Sequence, residues 1–384
     1  MTGEAEPTVA NWQEPDMVRT SFQRIESFLR TTPIAAGARP SPLQPAHGGL
    51  VDLAGMRVGD VTVADVLAAT ETDGWLVLHE GRVVAEEYVP PMTSATRHLL
   101  MSVSKSVVGI TAGALVERGL IEPARPVAAY VPDLALGGYA GATVRDVLDM
   151  RTGVRFSEDY LDPRSEVRLL DQAVGWAPQT PDGPHTLDEF LRGLVAEGPH
   201  GQAFHYRSCD TDLLGRICEV AGGAPLASLV SELVWGLLGA ERDASLCVDS
   251  VGAAMCDGGI SATLRDLGRF GEMLRRRGVG PTGERVVSEA WVDDIFAGTD
   301  DLRAAFARSD DAELLPGGHY RSQVWVPGGG QHALCVGIHG QLVYVDRAAC
   351  LVGVKLSSWP MPLDGPRMSA TLAMFGAIAD HLRA

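Results

Sequence analysis

Lysine is nearly missing from this chain of 384 residues: of its 32 basic residues only Lys105 and Lys355 are lysines, and the rest are arginine. Arginine keeps its proton at any accessible pH, whereas a lysine placed in an apolar run can lose it. The two lysines therefore mark places where a titratable amine is needed, with codon bias as the competing explanation. Positive charge is scarce altogether. Against 49 acidic residues it leaves a formal net charge of −17, which repels phosphate backbones and argues against a nucleic-acid partner. Small neutral or cationic ligands fit better. The six cysteines (Cys209, Cys218, Cys247, Cys256, Cys335 and Cys350) form no Cys-x-x-Cys pair, as expected of reduced thiols in a cytoplasm. His-Glu-x-x-His and Cys/His quartets are absent, so no metal and no cofactor are expected. The acidic start Met1–Pro7 lacks the basic-then-apolar order of a leader, and no uninterrupted apolar run is long enough to span a bilayer. No membrane association is expected. No internal repeat is visible.

What is present reads as a globular chain: 46% hydrophobic and 21% charged residues, enough for one large domain or two interleaved lobes. An amphipathic helix near Val18–Leu29 is followed by a Pro/Gly/Ala-rich connector over 32–49. Two β-rich runs, Gly74–His79 and Val83–Val89, flank Glu80-Gly81-Arg82 and predict a hairpin. From about 127 to 246 the periodicity is helical, with helices expected at Val144–Met150, Thr186–Val195, Cys209–Val220 and Ala227–Leu238. Short apolar strands return at His332–Ile338, Gln341–Val345 and Cys350–Leu356, before a last helix at Arg367–Leu382. Strands at both ends and helices between them predict an α+β class, a central antiparallel sheet flanked by helices with an inserted all-helical lobe. The expected division is 1–50 as a helix and connector, 51–126 with 247–384 as a discontinuous α/β lobe, and 127–246 as the helical lobe. The cleft between lobes is the natural site.

Chemistry concentrates in His98-Leu-Leu-Met-Ser102-Val-Ser-Lys105-Ser106 and the apolar stretch that follows. Lys105 is the only charge between Ser102 and Glu117, the pattern of a buried helix. Ser102 and Lys105 lie about 300° apart around a helix and share a face. The helix start offers unpaired N–H groups and a positive dipole to an oxyanion. Burial is expected to lower the Lys105 pKa, so that a free amine takes the Ser102 proton. Ser104 is a rival nucleophile, but it is adjacent to Lys105 and points about 100° away. A serine N-cap followed by a snorkelling lysine is the structural alternative.

Two further segments could join this pair. Tyr206, in Phe204-His-Tyr-Arg-Ser208-Cys-Asp210, stands just before an expected helix whose N-cap is Ser208 or Asp210, where a phenol can shuttle a proton to a leaving group. Gly337-Ile338-His339-Gly340-Gln341 ends an expected inner strand, where an edge N–H between glycines could complete an oxyanion hole.

In this order the segments resemble the serine β-lactamase/D-alanyl-D-alanine peptidase superfamily, class C branch, and within it the 6-aminohexanoate-oligomer (nylon-oligomer) hydrolases. The matching words are Leu99–Ser106, Glu158–Pro163, Phe204-x-Tyr206-x-Ser208, Gly258-Gly259, Val286–Glu289, Gly337–Gln341 and Val354–Pro360. The resemblance implies Ser102 as the acyl-forming nucleophile, Lys105 as its base and Tyr206 as proton donor to the leaving group. It implies the N–H groups of Ser102 and Ile338 as oxyanion donors. Tyr160 matches a loop tyrosine closing over the substrate amide, Asp171 and Asp257 line the cleft, and Trp176 and Trp325 are aromatic positions near it. Ser208 and His339 stand at motif positions facing substrate, where the wider superfamily carries asparagine and lysine. Without that lysine, penicillin or cell-wall peptide hydrolysis is not expected.

The implied activity is a serine hydrolase cleaving a small linear amide or ester through an acyl-enzyme, with a homodimer left open. The acidic run Glu158, Asp159, Asp162, Glu166 and Asp171 either holds a cationic amine or is a solvated loop neutralised by Arg164 and Arg168. The same acyl-enzyme could serve an acyltransferase, and a catalytically silent binding protein is the third reading.

Overall fold

Alternation along each strand builds the central sheet. In the computed structural model, which describes residues 6–47 and 49–383, seven strands form it: β1 (Thr72–His79), β2 (Arg82–Tyr88), β3 (His319–Arg321), β4 (Val324–Val326), β5 (His332–Gly337), β6 (Gln341–Asp346) and β7 (Leu351–Ser357). Their order is β2-β1-β7-β6-β5-β4-β3, and every neighbouring pair is antiparallel. Successive side chains point to opposite faces, so Trp75 and Val77 join one apolar cluster while Leu76 and Leu78 join the other. Leu342 and Tyr344 against Val343 and Val345 repeat the division on β6. Both faces are covered. Leu267, Phe270 and Met273 of the helix Leu264–Arg275 pack on one, and Met374, Phe375 and Ile378 of the helix Gly365–Arg383 on the other.

The expected hairpin forms as β1 and β2, with Glu80 and Gly81 both at positive φ (51° and 77°), as tight two-residue turns require. Strands from residues 72–88 and 319–357 thus share one sheet, and α+β describes it. Between residues 127 and 243 the named elements are helical. Two helices matter most for the site, α1 (Val103–Glu117) and α2 (Ser208–Gly222), which pack against each other. Residues 103–115 of α1 are all buried, which explains a sequence apolar around its whole circumference.

Several expectations need correction. The first helix is short, Val18–Phe22 followed by a 3-10 turn at Ile25–Ser27. Its supposed connector opens with a strand, Thr31–Ile34, paired antiparallel with Ala244–Cys247, so backbone pairing overrides its proline content. Ala227–Leu238 is one continuous pattern in sequence but folds as Leu226–Val230, a π turn at Ser231–Trp235, and Gly236–Leu238. Residues 1–5, part of the acidic start read as lacking a leader, lie outside the described residues. Among the described residues no single helix is long and apolar enough to cross a membrane. The one pair that qualifies jointly, Ser208–Gly222 with Leu226–Leu238, is bent by 77°.

Candidate active site

Ser102 sits where a small sheet hands the chain to α1. His98–Leu99 pairs with Ile260–Ala262, and Leu100 N–H donates to Ile260 O at 2.9 Å. Met101 then turns sharply with φ of 47°, a left-handed value costing a non-glycine residue roughly 1 kcal/mol. That turn sets Ser102 at the head of α1. From the far side comes the end of β5: a Cβ on Gly337 would lie 2.5 Å from Leu100 O and 3.1 Å from Ser102 N, so only glycine lets this strand approach. The next residue, Ile338, borders the same two cavities as Ser102. Among the described residues neither its N–H nor that of Ser102 donates to a main-chain acceptor.

Ser104, the rival, faces elsewhere: it is fully buried and its Oγ accepts from Ile260 N–H at 3.1 Å. Lys105 does reach the site. Its Nζ lies 2.9 Å from Ser102 Oγ, 3.1 Å from Ser208 Oγ and 2.7 Å from the Asp257 carbonyl oxygen. An ammonium satisfies the three by donating to each. A free amine satisfies them too, donating to Asp257 and Ser208 and accepting from Ser102, so moving one proton changes the chemistry without moving an atom.

Tyr206 stands on the loop before α2, held by its neighbours. Arg207 is buried with Nε 2.7 Å from Val154 O, and His205 N–H donates to Met150 O at 3.1 Å. Lys105 Nζ lies 5.2 Å from the centroid of the Tyr206 ring, which borders the same cavity as Ser102, and Trp325 stacks on that ring with centroids 5.1 Å apart. The sequence offers Ser208 or Asp210 as the N-cap of α2. Arg207 occupies that position instead, and Asp210 is buried against the Tyr139 and Thr152 hydroxyls at 3.0 and 2.8 Å.

Protonation is where the expectation for Lys105 fails. Burial does oppose its charge, but Tyr206, Asp257, Glu158 and Asp212 outweigh it and hold the amine above its ordinary range. Lys105 therefore rests as an ammonium. Burial pushes the Tyr206 phenol up to about 12, against the pull of Lys105. Two of these carboxylates were not read from sequence as neighbours of Lys105. Glu158, read there as holding a cationic amine or as part of a solvated loop, is half-buried; its carboxylate accepts from Ser208 N–H and, at 2.5 Å, from the Tyr160 hydroxyl. Asp212 is buried one turn after Ser208, accepting from the N–H groups of Cys256 (2.8 Å) and Asp257 (3.1 Å), and so fixes the carbonyl that Lys105 contacts. The spacing Ser208–Asp212, i to i+4 on an apolar helix, was the signal available for it.

The other predicted residues divide. Tyr160, Trp176, Asp171 and Asp257 line a narrow cavity of about 20 Å³ beside Ser102. Asp171 is paired with Arg168 at 2.7 Å, and burial raises its pKa to about 7. Asp257 leaves one buried carboxylate oxygen, Oδ1, without a partner. Trp325 lines a wide cavity of about 570 Å³ on the other side, and Ser102, Tyr160 and Ile338 border both. His339 does not face substrate. It is buried at φ of 60°, its Nδ1 lies 2.7 Å from Trp359 O, its ring packs edge-on against Phe22, and neither cavity includes it. The imidazole and Gly340 fill the fold at a place where the resemblance implied a contact. Among the described residues no group of His, Cys, Asp or Glu is arranged to hold a metal.

A serine heading a buried helix, a lysine one turn on and a phenol from the loop before a second helix, beside the end of a strand of the antiparallel sheet, mark a serine hydrolase of the β-lactamase superfamily. The chain matches the family model described as Beta-lactamase over residues 62–375, and it belongs to that family. It is 40% identical over 359 residues to a 6-aminohexanoate-dimer hydrolase of Paenarthrobacter ureafaciens, covering 93% of this chain and 89% of that one. A Bacillus anthracis structure with the provisional name 6-aminohexanoate-dimer hydrolase superposes with a TM-score of 0.88 at 25% identity, covering 100% of this chain and 99% of the other. EstCE1, described as a hydrolase with promiscuous acyltransferase activity, reaches a TM-score of 0.61 at 17% identity over 83% of this chain and 98% of its own, a likeness of fold alone.

Proposed function

We propose that this enzyme cleaves small linear amides or esters of the 6-aminohexanoate-oligomer kind through an acyl-enzyme on Ser102. The observation that carries the reading is the Lys105 Nζ–Ser102 Oγ contact of 2.9 Å, with the Tyr206 ring centroid 5.2 Å from the same Nζ. In the productive form one proton has left the Lys105–Tyr206 pair. Lys105 then takes the Ser102 proton as Oγ bonds to the substrate carbonyl carbon, and the oxyanion is received by the Ser102 and Ile338 N–H groups. The carbon–nitrogen (or carbon–oxygen) bond breaks as Tyr206 protonates the leaving atom, and Lys105 restores the phenol's proton. Water adds to the acyl-enzyme by the reverse relay, and Ser102 leaves with its proton regained. The unpaired oxygen of Asp257 supports a cationic amine on the acyl side. The free cysteines, five of them buried, support a reducing cytoplasm. Transfer to an amine or alcohol acceptor is the second reading; the 570 Å³ cavity, large enough to seat an acceptor, favours keeping it.

The test is intact-protein mass spectrometry after a nitrophenyl ester and a fluorophosphonate, with a panel of nitrophenyl esters, nitrocefin and 6-aminohexanoate dimer. An adduct on Ser102, ester cleavage and little action on nitrocefin are expected. An adduct on Ser104, or none, would remove the proposal.

A further inference from the structure

The turn that carries Ile338 is short, and half of its backbone is left-handed. Gly337 ends β5 paired with Gln341 at the start of β6, and between them His339 and Gly340 have φ of 60° and 88°. Neighbours hold this turn from outside. His339 N–H donates to Pro362 O at 2.9 Å, and His339 O accepts from Trp359 N–H at 3.2 Å. The remaining tether is a side chain, that of Gln341.

Gln341 is fully buried, and every polar atom of its amide meets main chain. Nε2 donates to Ser357 O at 2.8 Å, and Oε1 accepts from Ser357 N–H at 3.1 Å. Continuing the β6–β7 register two residues beyond Leu342 and Lys355 would set Gly340 against Ser357, but the chain has turned away there. The amide therefore stands in for the missing peptide and extends the sheet by one rung. The second N–H of Nε2 reaches back into the turn, 3.0 Å from His339 O and 3.4 Å from Ile338 O. Ile338 is thus held on its C-terminal side by an anchor on β7, and on its N-terminal side by Gly337, wedged against Leu100 and Ser102. An apolar side chain at 341 would leave the Ser357 N–H and O buried without that partner and release the turn.

Resting on the acyl-enzyme reading above, in which the Ile338 N–H receives the oxyanion, we infer that Gln341 is a positioning residue for that donor. It lines neither cavity beside Ser102, so it acts through the turn and does not touch substrate. An oxyanion donor is effective only when it is fixed before the charge develops, and the clamp supplies that fixity.

The test compares a nitrophenyl ester with its thionoester, in which sulfur replaces the carbonyl oxygen. Both need Ser102, Lys105 and Tyr206, but sulfur is the larger and weaker acceptor and gains less from aimed N–H groups. The wild-type enzyme should favour the ester by about a hundredfold in kcat/KM. Gln341→Met should lower kcat on the ester by about thirtyfold with KM changed less than about threefold, and slow the thionoester less than about threefold, so that the preference for oxygen shrinks by about tenfold. A variant that merely loosened the fold or disturbed Ser102 and Lys105 would slow both substrates alike. An unchanged preference for oxygen, or full ester activity, would overturn the assignment. Should Gln341→Met fail to fold by circular dichroism, Gln341→Glu, which keeps the acceptor for Ser357 N–H, carries the same comparison with the same expected shrinkage. Fluorophosphonate labelling, run beside the kinetics, keeps the two ideas apart. An enzyme unlabelled at Ser102 defeats the acyl-enzyme reading, whereas a labelled enzyme whose variants keep the full preference for oxygen defeats only the role of Gln341.

Discussion

Lys105 and Lys355, the only lysines in the chain, are both fully buried, yet their surroundings drive them in opposite directions. Around Lys105, Tyr206, Asp257, Glu158 and Asp212 overcome the cost of burial and keep a cation in place. Around Lys355 burial wins: its Nζ meets the Thr70 carbonyl at 3.1 Å and the Ser357 hydroxyl, and its pKa falls to about 7 despite Asp73. Burial alone therefore does not make a lysine a base. The amine that rests near neutrality lies in the sheet away from the cleft, and the amine beside Ser102, the proposed nucleophile, is held as a cation by the groups around it.

The contrast can be broken most violently at the proposed nucleophile. Ser102→Ala should lower kcat by roughly ten-thousand-fold or more without unfolding the protein, while Ser104→Ala, which removes only the acceptor of Ile260 N–H, should keep most activity. Steady-state kinetics beside far-ultraviolet circular dichroism reads both. Next come the lysines. Lys105→Met and Lys105→Arg should each cost about a thousandfold in kcat/KM, whereas Lys355→Met should change it less than threefold.

Stability separates the lysines in the other direction. Between pH 7 and the unfolded value of 10.5 the unfolded chain binds a proton at Lys355 that the fold does not, so stability rises with pH across that window. Lys355→Met should accordingly stabilise the protein by on the order of 3 kcal/mol below pH 7, with the gain fading toward pH 10.5. Urea melts at several pH values measure it. A smaller effect is expected at Glu158. Because Lys105 is held above its ordinary range, kcat/KM should rise with pH through neutrality, and Glu158→Gln should move that rise to lower pH with a rate change of about tenfold or less.

The smallest effect concerns His339. Burial lowers its pKa to about 4, so between the unfolded value of 6.5 and about 4 the unfolded chain binds the extra proton, and stability is lost as pH falls through that range. His339→Asn, which suits a positive φ and can still donate to Trp359 O, should flatten this loss and leave activity unchanged.

Much of this was legible before any coordinates. Local rules sufficed where local geometry decides: the Ser102–Lys105 spacing on one helical face, the Glu80-Gly81 hairpin, and the alternating strands at both ends. They failed where the deciding neighbour is distant in sequence. Nothing near Lys105 announces Glu158, Asp212 or Asp257, so its charge state was misread from burial alone. His339 sits between glycines like a residue open to ligand, and only Phe22 and Trp359, arriving from opposite ends of the chain, show that it is packed. The strand at Thr31–Ile34 was missed for the same reason, since its partner is Ala244–Cys247.

A chain with two lysines invites one direct measurement, nitrogen NMR of protein labelled with 15N in the lysine side chains, with Lys355→Met assigning the signals. The expected result is one resonance that stays at an ammonium shift well past neutrality, from Lys105, and one that titrates near pH 7, from Lys355. A Lys105 signal already at a free-amine shift at pH 7, with Lys355 still charged, would contradict the account.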